Sequence, residues 1–99
     1  MFLKNYLDEF KYNTLFDIYE IDFLNSINED NFSSIYNLFK KYNFYYIDDI
    51  ILNYLEIFTL DSEFVENKIN KLKDILGDNY IYIIGNDLRY LEVLVKDNL

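Results

Sequence analysis

The chain has no His, no Cys, no Trp, no Pro, no Ala and no Gln among its 99 residues. Without His and Cys it lacks the commonest general base, the best neutral nucleophile and the usual ligands of transition metals. Only oxygen ligands remain, so a bound metal would have to be a hard ion such as Ca²⁺, Mg²⁺ or Mn²⁺. The absence of Cys also fits a reducing compartment. Gly occurs only at Gly77 and Gly85, and no Pro-rich or Ser-rich stretch divides the chain, so a single domain over 1–99 is expected. Apolar runs such as Tyr80 to Ile84 are far shorter than the ~20 residues a bilayer span needs. The start, Met1-Phe2-Leu3-Lys4-Asn5-Tyr6, lacks the basic and apolar regions of a signal peptide. A soluble, cytoplasmic protein is expected.

What the chain has is aromatic surface and negative charge. Hydrophobic residues make up 52% of it and Phe plus Tyr 20%, enough for one core without a disulfide or metal staple. Size scaling gives roughly 6,000 Å² of accessible surface when folded, against about 17,500 Å² for the open chain. Ile, Leu, Phe, Tyr, Asn, Asp and Lys dominate, residue types favoured by AT-rich codons, so part of the aromatic excess reports the genome. Eighteen acids against nine bases leave a net charge of −9. Such a chain is repelled by nucleic acid and by anionic lipid, and a basic partner is the favoured one.

Hydrophobic periodicity predicts a mainly α fold, a compact bundle of four to six short helices. Residues 2–12 place Phe2, Leu3, Tyr6, Leu7 and Phe10 at helical spacing, with Asn13 as a stop and Thr14 as a cap for the next element. Over 31–42, behind Asp30 or Asn31 as cap, Phe32, Ile35, Tyr36, Phe39 and Tyr42 form a stripe that Asn43 can close. Asp48-Asp49 suits a helix start, followed by Ile50, Ile51, Tyr54, Leu55 and Phe58. The clearest helix spans 61–77: Asp61 or Ser62 caps it, Glu63 and Glu66 precede Lys68, Lys71 and Lys73, and Gly77 ends it. Its face of Val65, Ile69, Leu72 and Leu76 suits a core, or a short oligomerising seam. A last helix runs from Asn86 or Asp87 through Leu88, Leu91, Val93, Leu94 and Val95. The alternative is α+β, with strands near 17–23, where Tyr19 to Phe23 alternates, and 80–84, where Tyr80-Ile81-Tyr82-Ile83-Ile84 is aromatic and β-branched. Leu52, Tyr54, Leu55, Glu56 and Ile57 match Leu88, Tyr90, Leu91, Glu92 and Val93, and Phe16, Ile18, Tyr19, Glu20 and Ile21 echo them. That 36-residue offset would suit a helical repeat, although the helices between do not keep it.

No catalytic motif is present. The serines have no His partner, and neither a nucleophile elbow nor a phosphate-binding glycine loop occurs. No EF-hand spacing exists, and the pairs Asp48-Asp49 and Glu63 with Glu66 read as helix-start charge, so no metal site, cofactor or enzymatic activity is expected. The lysines offer only one local cluster, Lys68, Lys71 and Lys73, flanked by Glu66 and Asp74, so direct nucleic-acid binding is not expected.

The acids are distributed unevenly. No base occurs between Lys11 and Lys40, where Asp17, Glu20, Asp22, Glu29 and Asp30 lie. None occurs between Lys41 and Lys68, where Asp48, Asp49, Glu56, Asp61, Glu63 and Glu66 lie. Folding that joined these stretches would create a negative face able to occupy a basic groove meant for nucleic acid. Tyr42, Tyr45 and Tyr46 would supply amphipathic contacts at its rim. The candidate partner-binding residues are therefore Asp17, Glu20, Asp22, Asp48, Asp49, Glu56, Glu63, Glu66, Tyr42, Tyr45 and Tyr46. In size, charge and composition the chain resembles small inhibitors encoded by phages and mobile elements, the anti-CRISPR and DNA-mimic proteins. That resemblance implies a protein-binding inhibitor whose partner is basic, for example a nuclease. An immunity protein or antitoxin against a basic toxin uses the same electrostatics, and a helical oligomerisation or scaffold module is the third possibility.

Overall fold

Six α-helices and three 3-10 turns make up the regular structure of residues 1–96, which the computed structural model describes, and no strand occurs among those residues. The fold is mainly α. After a 3-10 turn at Phe2–Asn5 come α1 (Glu9–Ile18), α2 (Ile21–Ser26), α3 (Glu29–Lys41) and α4 (Ile47–Asn53). A 3-10 turn at Leu55–Thr59, α5 (Ser62–Leu76), α6 (Tyr80–Asn86) and a final 3-10 turn at Leu88–Leu94 complete the order.

Local chemistry sets most of the boundaries. Asp8, Asn28 and Asp61 each accept a hydrogen bond from the backbone N–H three residues on, satisfying a donor that the first helical turn leaves free. α5 matches its sequence reading, from the Asp61 cap to Gly77, whose φ of +85° is costly for any residue with a Cβ. Asn43 closes α3 at φ +66°, within the tolerance of Asn for the left-handed region. α3 starts earlier than expected because Asn28, not Asp30 or Asn31, supplies the cap.

Other expectations are corrected. The helix over 2–12 is two elements, since the chain turns at Tyr6 to Asp8 so that Phe2 and Tyr6 both reach Phe32. Asn13 and Thr14 lie inside α1 rather than between helices. The strand alternative at 17–23 fails because only Tyr19 and Glu20 are extended, as a two-residue break between α1 and α2. The strand at 80–84 is helical: Tyr80 and Ile84, one turn apart, are its buried residues. The stripe from Ile50 to Phe58 breaks at Tyr54, and the last predicted helix is a 3-10 turn begun by Asp87, which accepts from the Arg89 N–H.

The helices stack in two rows. Lys11 Nζ lies 3.2 Å from Asp48 Oδ2, 37 residues on. The Leu55 N–H donates to Tyr19 Oη at 3.1 Å, 36 residues back. Near-equal separations at the two ends mean that α1 and α4 lie side by side and parallel. The Tyr46 hydroxyl donates to the Ile81 carbonyl and joins α4 to α6. In the second row the turn Phe2–Asn5 packs on α3, and α3 on α5. The two later units repeat at an offset of 33, not 36. The caps Asn28 and Asp61, the first residues of α4 and α6 (47 and 80), and those of the 3-10 turns (55 and 88) all keep it. Phe32 and Val65, Phe39 and Leu72, Ile51 and Ile84, and Phe58 and Leu91 are buried at matching places. The 36-residue match of 52–57 with 88–93 is therefore not the structural register, and only its echo at 16–21 coincides with a contact, that of Tyr19 with Leu55. Three layers about one helix diameter thick account for the extents of 36 × 23 × 23 Å.

One apolar cluster runs through all three layers, and no charged side chain is buried among the described residues. The accessible surface is 6069 Å², in line with the scaling for a chain of this size. Gly85 lies within α6, where Ala would ordinarily favour the helix by about 1 kcal/mol. A Cβ there would sit 2.7 Å from the ring of Tyr46, which the core and the Ile81 carbonyl hold in place. Gly85→Ala is therefore expected to destabilise the protein by about 1–3 kcal/mol, measured by urea unfolding. A variant as stable as the parent would show that the ring can give way.

Candidate functional site

The layering decides which acids meet. α1 lies along α4, so the base-free stretch after Lys11 runs beside the one after Lys41. Around Lys11 stand Asp48, which pairs with it, and the carboxylates of Asp49 and Asp8, and together they hold its ammonium above the ordinary lysine value. At the other end of the pair Glu56 faces Tyr19, whose phenol is pushed up mainly by burial and only partly relieved by the Leu55 N–H. One layer further, burial first, and then Glu92, Asp87 and Glu56, raise the Tyr54 phenol. Carboxylates thus run along the outer row from Asp8 to Glu92, with Tyr19 and Tyr54 seated between them.

Not every candidate residue joins this row. Asp17, Glu20, Asp22 and Asp49 are exposed and form no ion pair among the described residues, and Glu56 is half-buried beside Tyr19. Asp48 belongs to the row but is neutralised by Lys11. Glu63 and Glu66 lie on α5, in the other row. Glu66 Oε2 accepts from the Tyr42 hydroxyl at 2.7 Å and from Lys41 Nζ at 3.0 Å, so Glu66 and Tyr42 clamp α5 to the end of α3. Tyr46 is only 9% exposed, and burial pushes its phenol well above the usual range. It is a core residue rather than a rim residue. Tyr45 alone of the three candidate tyrosines is well exposed, its ring beside those of Tyr46 and Tyr82.

Sequence reasoning missed Asp87, Glu92 and the two tyrosines between the carboxylates. For Glu92 a signal was present: Glu20, Glu56 and Glu92 recur at 36 residues, one or two positions after Tyr19, Tyr54 and Tyr90. The chemistry available is that of solvated carboxylates and phenols. Among the described residues no group of three or more acids is placed to hold a metal ion, and no buried side-chain polar atom lacks a partner. No helix among them is long and apolar enough to cross a membrane.

No protein-family model matches the chain, and no curated protein or solved structure matches it.

The clamp on Glu66 has a pH signature. The hydrogen bond from Tyr42, then that from Lys41, holds the Glu66 carboxyl below its ordinary value of 4.5. A depressed folded pKa contributes stability above the ordinary value and loses it as pH falls through the folded one. The stability difference between the parent and Glu66→Gln is therefore expected to be largest at pH 6–7. It should shrink steadily below about pH 4.5, read from thermal midpoints across pH. A difference that does not change with pH would mean the carboxylate charge contributes nothing to the α3–α5 contact.

Proposed function

We propose that the protein is a small acidic inhibitor that acts by binding a basic protein partner and occupying a nucleic-acid-binding site on it. The observation that carries this reading is the parallel pairing of α1 with α4. It brings Asp17, Glu20, Asp49 and Glu56 from two base-free stretches onto adjacent elements and extends towards Glu92. Carboxylates repeated along a row of stacked layers offer a basic groove a series of negative charges, as a phosphate backbone does. Exposure of most of them keeps desolvation small and favours fast, steered association. Tyr45 adds an amphipathic contact beside the start of α4.

The residues suited to a test differ from those that sequence alone suggested, because Asp48 and Glu66 take part in contacts between helices. Neutralising Asp17, Glu20, Asp49 and Glu56 as Asn or Gln leaves those contacts intact. In a pull-down from a bacterial lysate, with the captured protein identified by mass spectrometry, the parent chain is expected to retain a basic, nucleic-acid-binding protein. The fourfold variant should bind that protein on the order of tenfold or more weakly, with a flatter salt dependence, and the partner's nucleic acid should compete with the parent. Equal affinity of parent and variant at both low and high salt would remove the proposed mechanism.

A further inference from the structure

The large apolar side chains that remain exposed are concentrated at the two ends of the stack. Phe10, Phe16, Ile18 and Ile21 lie on α1 and α2, and Ile75, Tyr82 and Tyr90 on α5, α6 and the last turn. The middle layer contributes only Tyr45, which touches Tyr82. Stacked helical units ordinarily close their ends with polar capping faces, whereas here large apolar side chains stand exposed among the polar ones at both ends.

The 33-residue register shows what the last face is built to receive. In the middle layer Ile35, Leu38 and Ile57 are buried. Their counterparts in the last layer are Lys68, Lys71 and Tyr90, which stand at or beside an open groove of about 550 Å³ between α5 and the turn Leu88–Leu94. Leu72, Ile75, Leu76 and Val93 form the rest of its apolar lining. The surface that one unit covers with the next is thus uncovered by any of the described residues on the last unit.

Charge selects the occupant. Two carboxylates line the groove, Asp87 and Glu92, but Arg89 and Lys96 pair with them, while Lys68 and Lys71 at its edge have no ion pair among the described residues, so the groove is locally positive on a chain of net charge −9. The opposite end is its complement. Phe10 and Asp17, seven residues apart, share the side of α1 turned away from Leu15, and Ile21 and Asp22 follow on α2. No base lies between Lys11 and Lys40 to oppose the lysines. We propose that a second copy of this chain docks head to tail, its α1–α2 end on the α5 groove, so that the copies continue the stack. Such a contact joins two different surfaces, so it propagates into a ring or filament rather than stopping at a symmetric dimer. This docking surface overlaps the partner-binding face proposed above at two places, Asp17 on the head and Glu92 in the groove lining, so the apolar residues Ile75 and Tyr90 are the ones that separate the two.

Two variants test it. Ile75→Glu with Tyr90→Glu spoils the tail, and Phe10→Lys with Ile21→Lys spoils the head. Ile75 is 77% exposed and Phe10 80% exposed, so both chains should fold, as circular dichroism can verify. Sedimentation velocity from about 10 μM to about 1 mM is expected to show the parent growing beyond a dimer, each variant alone as a 12.1 kDa monomer, and their equimolar mixture stopping at twice that mass. A parent that stays monomeric throughout would overturn the proposal. So would a head variant that still dimerises alone, which would mean a symmetric contact between grooves. The tail variant keeps every carboxylate of the partner-binding row and should still capture the partner from lysate, and its failure to do so would mean that the groove itself is the partner's site and overturn self-docking there.

Discussion

A continuous series of aromatic contacts ties the layers together, and the rest of the structure depends on it. Phe2 and Tyr6 meet Phe32, which stacks on Phe58 with ring centroids 4.7 Å apart. Phe58 touches Phe39, Phe39 meets Phe44 edge to face, and Phe44 reaches Tyr46 and Tyr80. Each such pair contributes about 0.5–1.5 kcal/mol beyond the burial of its area. The series starts in the N-terminal turn and ends in α6. Short helices that are marginal on their own are therefore ordered by rings that span their junctions. Phe58 explains the break after α4: a 3-10 turn, not a continued helix, carries the Phe58 ring onto α3.

The polar contacts follow from that stack. Lys11 meets Asp48, and Tyr19 meets Leu55, because the apolar sides of α1 and α4 have already set their register. Lys41 and Tyr42 share Glu66 where α3 and α5 cross. These contacts occupy two of the chain's nine bases between helices. What remains unpaired includes Asp17, Glu20 and Asp49 on and beside α1 and α4, and Lys68 and Lys71 on α5, which also carries Glu63 and Asp74.

Much of the local structure was legible. Asp61 and Gly77 bounded α5 because a cap and a positive-φ terminator are local in their physics, and Asn43 acted in the same way. The N-terminal helix was misplaced because Phe2, Leu3, Tyr6 and Leu7 show helical spacing in either conformation, while the demand of Phe2 and Tyr6 for Phe32 is long-range. Tyr80 to Ile84 suggested a strand by its β-branched and aromatic content. A lone apolar segment with no neighbouring strand satisfies its backbone only within a helix. The acidic stretches were visible as absences of Lys and Arg, yet nothing local distinguished Asp49 and Glu56 from Glu63 and Glu66.

By itself the sequence determined the class of fold, the bounds of α5, the excess of carboxylates and the lack of any His or Cys chemistry, because composition and short-range periodicity control those. The tertiary structure alone decided that α1 lies on α4, that Tyr46 is internal, that Glu66 is held by α3, and that the lysines of α5 edge an open apolar groove. Those outcomes depend on which apolar faces pack together across tens of residues, and a one-dimensional pattern of charges carries no information about that choice.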